Sequence, residues 1–281
     1  MKQLNIYQKE IINHLNKIST SWIDKGILKE SINYSLLNYG KLIRGSLLLV
    51  ALEDLNINYT KYIDLAAALE MIQTYTLIHD DLPIMDNAKT RRGKKTNHLE
   101  FNPGISLQAA DAILSDAFKV VANSNIDNDL KIQIITKISE RIGSSGICYG
   151  QVLDLLNEEN PVNNQEKILE IIKYKTGSFF ILIFEIIGII NNFDTITLNK
   201  LNEIGLYIGY SFQIKDDLND FLNQSIGKDN GIDVNKSTVN KILGIEKTKT
   251  LYKEYTMKIE KLITEIFSNN SSLLKYIKTI L

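Results

Sequence analysis

Proline occurs only three times in this 281-residue chain, at Pro83, Pro103 and Pro161. Because proline ends helices and interrupts central strands, breakers spaced this widely leave room for long uninterrupted helices. The intervening sequence fills that room. Residues 63–79, 107–121, 129–156, 165–190, 199–221 and 241–267 carry apolar side chains at three- and four-residue steps, the period of a helix with one buried face. Period-two alternation is scarce, and Asn230-Gly231 stands almost alone as a hairpin-like pair. The pattern predicts an all-α fold, a bundle of long, mostly antiparallel helices. The polar stretches 87–104, 157–164 and 224–237 are short, and no repeat or shift of composition marks a boundary. A single domain over 1–281 is therefore expected. Gly205 and Gly209 lie four apart on one predicted helix face, where missing side chains let another helix approach closely.

The charges nearly cancel, 32 basic against 33 acidic residues. A nucleic-acid partner, which needs a basic excess, is not expected. Cys148 is the sole cysteine, which excludes an internal disulfide and suits a reducing, cytoplasmic compartment. The N-terminal stretch MKQLNIYQKEIINHLNKI alternates charged and apolar residues and reads as an amphipathic first helix, without the apolar core of a signal peptide. The most apolar run, residues 179–190, contains Glu185 and falls short of the roughly twenty apolar residues that cross a bilayer. It reads as a central core helix, and no membrane span is expected.

Two acidic clusters carry the chemistry. The first, His79-Asp80-Asp81-Leu82-Pro83-Ile84-Met85-Asp86, arrives at the end of an apolar helix. A helix C-terminus already carries partial negative charge, so adjacent carboxylates there call for a cation or for solvent. Pro83 ends the helix and lets Asp86 fold back toward Asp80. Taken alone, the cluster reads equally well as an exposed acidic turn. The second, Asp216-Asp217-Leu218-Asn219-Asp220, sits inside a helical pattern among the core-like Phe212, Ile214 and Leu218. Asp216 and Asp220 share a helix face with Asp217 beside them, so three carboxylates are expected to converge. Magnesium bound between the two clusters and shared with a diphosphate would relieve the repulsion in both.

Basic residues stand at matching breaks: Lys41 and Arg44 after Gly40, the pair Arg91-Arg92 before Gly93, Lys175 before Thr176-Gly177, Lys228 after Gly227, and Lys236 before Ser237-Thr238. Each alone is an ordinary solvated turn. Together with two carboxylate sets they suit two diphosphates in one site.

At this point the residues resemble a known family, the trans-isoprenyl diphosphate synthases, and most closely its bacterial short-chain farnesyl-type branch. The string LIHDDLPIMDNAKTRRGKKTNH at residues 77–98 resembles the first aspartate-rich motif, FQIKDDLND at 212–220 the second, and Gly150-Gln151-Val152-Leu153-Asp154 a further family motif. The resemblance covers about residues 40 to 238 and implies an isoprenoid synthase fold around a deep central cavity. It implies several magnesium ions held by Asp80, Asp81, Asp86, Asp216, Asp217 and Asp220. Arg91, Lys175, Lys228 and Lys236 would bind the allylic diphosphate; Lys41, Arg44, Arg92 and, in place of the usual histidine, Gln73 would bind isopentenyl diphosphate. Thr176 and Gln213 would line the site beside the carbocation. Tyr75, about 7 Å below Asp80 along the helix, would floor the hydrocarbon pocket, with Thr76 beside it, and favour farnesyl diphosphate over geranylgeranyl or geranyl diphosphate. A homodimer is likewise implied. Gly45 departs from the family by replacing the usual proline after Arg44. Competing readings are a non-catalytic partner subunit, a terpene cyclase, which needs no second diphosphate grip, and a phosphohydrolase, for which His14, His79 and His98 are too few metal ligands.

Overall fold

The computed structural model describes residues 4–22, 26–221, 237–268 and 270–281. The chain divides into two compact units, one of Met1–Glu53 with Ile57–Asp127, the other of Asp54–Asn56 with Asn128–Ser225 and Asn230–Leu281. Both are built from helices, as the spacing of apolar residues predicts.

In the first unit α1 (Leu4–Ser21), α2 (Ile27–Leu36) and α6 (Pro103–Asn123) pack around α4 (Ile63–Asp81). The centre of α4 is buried on nearly every side, from Leu65 to Thr74. A helix apolar all round needs such a sheath. The helix α3 (Ile43–Asp54) is similarly buried from Gly45 to Leu52. Pro103 begins α6 at the first helical position, where its missing N–H costs nothing. Between α4 and α6 lie the only described strands, β1 (Thr90–Arg91) and β2 (Lys94–Lys95), joined through Arg92 and Gly93, both at positive φ. That is the backbone of a two-residue hairpin whose twist matches its strands. The short α5 (Asn97–Glu100) follows.

The second unit centres on α10 (Ser178–Ile190), buried from Ser178 to Gly188 between α7 (Asn128–Ile142) and α11 (Thr195–Phe221). Burying a large side chain such as Phe180 or Phe184 stabilises the fold by about 1.5–3 kcal/mol. The helix predicted over 129–156 is broken into α7 and α8 (Ile147–Glu159). Gly146 turns the chain there at φ −138°, ψ −121°, and a Cβ on it would sit 1.8 Å from the Arg141 carbonyl oxygen. The helix predicted over 165–190 runs through, as α9 (Gln165–Ile172) and α10, but with a π-helical turn at Lys173–Gly177. The helix predicted over 241–267 starts earlier and breaks at Gly244, φ 77°, into α12 (Val239–Leu243) and α13 (Ile245–Ile266), with α14 (Ser272–Ile280) after it. The close approach expected at Gly205 and Gly209 is present: added Cβ atoms would lie 2.6 Å from Ile181 Cα and 2.5 Å from Gly177 Cα. Among the described residues no helix is long and apolar enough to cross a membrane.

Candidate active site

The first unit positions the first aspartate cluster at the C-terminal end of α4. Asp86 donates its backbone N–H to the Asp80 carbonyl at 2.9 Å, so the segment after Pro83 folds back as expected. Asp80 and Asp86 are partly exposed, whereas Asp81 is 3% exposed and turned away to Arg91, whose Nε and Nη2 donate to Asp81 Oδ1 at 2.9 and 2.5 Å. Burial pushes the Asp81 carboxyl up, and Arg91 opposes it. Arg92 donates to the Asn38 carbonyl at 2.6 Å and lies so close over Gly40 that a Cβ there would meet its Nε at 2.7 Å. Thus Gly40 and Arg92, 52 positions apart in sequence, form one surface. Lys41 is exposed beside them and Arg44 half-buried.

Two residues with no sequence-assigned role organise this unit. Glu70, 4% exposed in mid-α4, accepts the Gly45 N–H at 2.8 Å. Burial holds its carboxyl above the usual range, opposed by that bond and by the Arg44 and Arg92 charges. A lone acid in LAAALEMIQ, an otherwise apolar stretch, is the signal that could have found it. Asn97, 3% exposed, accepts from Ser31 Oγ and Ser106 Oγ at 2.8 and 2.6 Å and donates to Ser35 Oγ at 2.8 Å. It fastens the hairpin's outgoing end to α2 and α6. Gln73 and Thr76 are buried on α4. Tyr75 sets its ring edge-on to His79 with centroids 4.6 Å apart.

In the second unit the widened turn Lys173–Gly177 bulges Lys175 and Thr176 out of the helical line, and π-turns of this kind recur at functional sites. Lys175 Nζ donates to Asp154 Oδ2 at 2.6 Å, so the Gly150–Asp154 motif supplies the lysine's counter-charge. Gly150 makes that approach possible, since a Cβ on it would lie 2.1 Å from the Lys175 nitrogen. Thr176 Oγ1 donates to Gln213 Oε1 at 3.2 Å, and Gln213 Nε2 donates to Asp217 Oδ1 at 2.9 Å. Asp154, Lys175, Thr176, Gln213 and Asp217 line a pocket of about 60 Å³. The expected convergence of Asp216, Asp217 and Asp220 does not produce a ready-made cage: among the described residues no three His, Cys, Asp or Glu side chains gather so as to hold a metal. The reason is local. Asp217, 6% exposed, is committed to Gln213 and faces the Val239 N–H, while Asp216 is half-buried and Asp220 exposed. Lys228 and Lys236 lie outside the described residues.

Residues 25–280 match the family described as polyprenyl synthetase. The chain belongs to that family. Among its curated relatives is the farnesyl diphosphate synthase of Micrococcus luteus, 40% identical over 94% of each chain. Two solved structures share the isoprenoid synthase fold. A geranyltranstransferase from Thermotoga maritima is 28% identical with a TM-score of 0.83, over 99% of this chain and 96% of that one. A Helicobacter pylori geranyltransferase, solved with magnesium and isoprenyl diphosphate, is 24% identical with a TM-score of 0.84, over 100% and 96%. The family match spans both units, and the all-α, isoprenoid-synthase reading of the sequence is borne out.

Proposed function

We propose that this chain is a short-chain trans-prenyltransferase that condenses isopentenyl diphosphate with dimethylallyl or geranyl diphosphate to give farnesyl diphosphate and pyrophosphate. The observation that carries the reading is the retention of both aspartate sets and both cationic sets in a polyprenyl synthetase chain 40% identical to a farnesyl diphosphate synthase. A partner subunit without activity would have no need of them.

Asp80, Asp86, Asp216 and Asp220 offer hard oxygen donors with some access to solvent, the chemistry magnesium takes when it completes its shell with water and substrate phosphate. In this proposal they are the ligands, with Asp81 and Asp217 as buried supports, and more than one ion is held. Bound magnesium would neutralise charge on the departing diphosphate. The remaining steps belong to the protein. Lys175, Arg91, Lys228 and Lys236 bind the allylic diphosphate and stabilise the charge it gains as the carbon–oxygen bond breaks. Lys41, Arg44, Arg92 and Gln73 hold isopentenyl diphosphate intact. Thr176 and Gln213 place oxygen dipoles beside the allylic cation, and apolar helix walls keep water from it. The isopentenyl double bond attacks that cation, and a proton leaves to pyrophosphate. Tyr75 and Thr76 set the depth available to the growing chain. We place residues 1–281 in a single functional domain, and assign a homodimer on the family resemblance and a cytoplasmic location on the single cysteine.

The test is incubation with magnesium, labelled isopentenyl diphosphate and either allylic primer, with products separated by chain length. Farnesyl diphosphate is expected as the main product, and Tyr75→Ala is expected to lengthen it by at least one five-carbon unit. Geranylgeranyl or geranyl diphosphate from the unaltered protein would keep the reaction and displace Tyr75 as the floor. No product from folded protein would sink the enzyme reading in favour of a partner subunit.

A further inference from the structure

We infer that Glu70 is a positioning residue for the isopentenyl diphosphate grip: from the buried middle of α4 it caps the first turn of α3 and holds Arg44 and Arg92 in register. The inference rests on the reading of Arg44 and Arg92 given above and extends it to a residue that touches no substrate.

The first turn of a helix leaves N–H groups without partners, and a side-chain oxygen at the preceding position commonly accepts one of them. That position here is Leu42, at φ 47°, whose side chain cannot accept a hydrogen bond. Glu70 does so from another helix, taking the Gly45 N–H at 2.8 Å. The same turn carries Arg44 and follows Lys41. The Glu70 charge also favours the Arg92 guanidinium, which donates to the Asn38 carbonyl just ahead of Gly40. One carboxylate, 4% exposed, therefore fixes the helix turn that carries Arg44 and lends its charge to Arg92. Without it the first turn of α3, which carries Arg44, would lose its acceptor, and Arg44 and Arg92 would both lose a nearby negative charge. Removing a negative charge beside an anion site should by itself tighten anion binding. Loss of registration acts the other way, and the fixed geometry of guanidinium pairing makes registration the larger effect.

The experiment is steady-state kinetics on Glu70→Gln, with Glu70→Asp as a second variant and Arg44→Ala as the reference. Glu70→Gln is expected to raise KM for isopentenyl diphosphate roughly tenfold, with KM for geranyl diphosphate changed by less than about twofold. Glu70→Asp, which keeps the charge, is expected to recover part of the loss. Arg44→Ala combined with Glu70→Gln should do little more than Arg44→Ala alone, because both act through one grip. An unchanged or lowered KM for isopentenyl diphosphate in Glu70→Gln, while Arg44→Ala raises it, would overturn the inference and leave the grip assignment standing. Equal increases for both substrates, or variants that do not fold, would make Glu70 structural only and overturn it as well. If Arg44→Ala leaves KM for isopentenyl diphosphate unchanged, the assignment of the grip fails first and the inference with it.

Discussion

Arg141 and Glu185 show how a charge is kept in the most apolar segment of the chain. Arg141 Nε and Nη2 donate to the two Glu185 carboxylate oxygens at 2.8 and 2.6 Å, a paired fork across α7 and α10. The Glu185 side chain is 9% exposed and that of Arg141 26%. Breaking a buried pair from one side strands the other charge, which typically costs 3–5 kcal/mol, while replacing both members with apolar residues of similar volume is often neutral. With Arg141 still partly in water, Arg141→Ala is expected to destabilise by about 3 kcal/mol. The double variant Arg141→Met with Glu185→Leu is expected to return to within about 1 kcal/mol of the parent in denaturant titrations. A double variant as weak as the single one would show that the charge itself contributes to the fold. The same residue-scale logic separates Asp81 and Asp217 from the other aspartates of their clusters. Each is buried and committed to a neighbouring side chain, so each can orient the site without being its most accessible ligand.

Between the elements, spacing decides what can approach what. The α11 face bearing Gly205 and Gly209 lies against Ile181 at the start of α10 and against Gly177 in the π-turn. A Cβ added at Gly209 would meet Gly177 Cα at 2.5 Å, beside Lys175 and Thr176. Gly209→Ala is therefore expected to destabilise by about 1–3 kcal/mol, the usual effect of overpacking, and to lower kcat by displacing Thr176 from Gln213. Gly104→Ala, whose Cβ would meet nothing nearer than 3.5 Å, is the control and should change thermal unfolding little. This glycine face was legible in the sequence, as were the all-helical class, the end of α4 just ahead of Pro83 and the return of Asp86 toward Asp80, because each follows from local period or from proline. The break at Gly146 was not, because helical periodicity runs smoothly through it. An interruption was expected at Lys175-Thr176-Gly177, but not its form, a π-turn within a continuing helix. The partners of Asp81, Lys175 and Asp217 were hidden as well: sequence names the charges but not which carboxylate is already spoken for by a cation or an amide.

Across the whole molecule, substrate and metal are expected to bind as one unit. Magnesium keeps several waters and takes part of its oxygen shell from substrate phosphates, so magnesium alone should leave the unfolding temperature within about 1 °C of its starting value. Magnesium with inorganic pyrophosphate supplies the missing oxygens. At a hundred times the dissociation constant the added stability is about 2.7 kcal/mol, a rise of roughly 5–10 °C for a chain of this size, read by calorimetry. An equal rise with magnesium alone would mean that the carboxylates close on the metal unaided. A long-range tie in the second unit concerns a different process. Asp54 accepts the backbone N–H groups of Ser272 and Leu273, 218 and 219 residues away, at the start of α14. During translation the ribosome must deliver all of that intervening sequence before this cap can close. At roughly 5–20 residues per second the wait is on the order of ten to forty seconds, a long interval in which the nascent second unit stays open to chaperones and proteases.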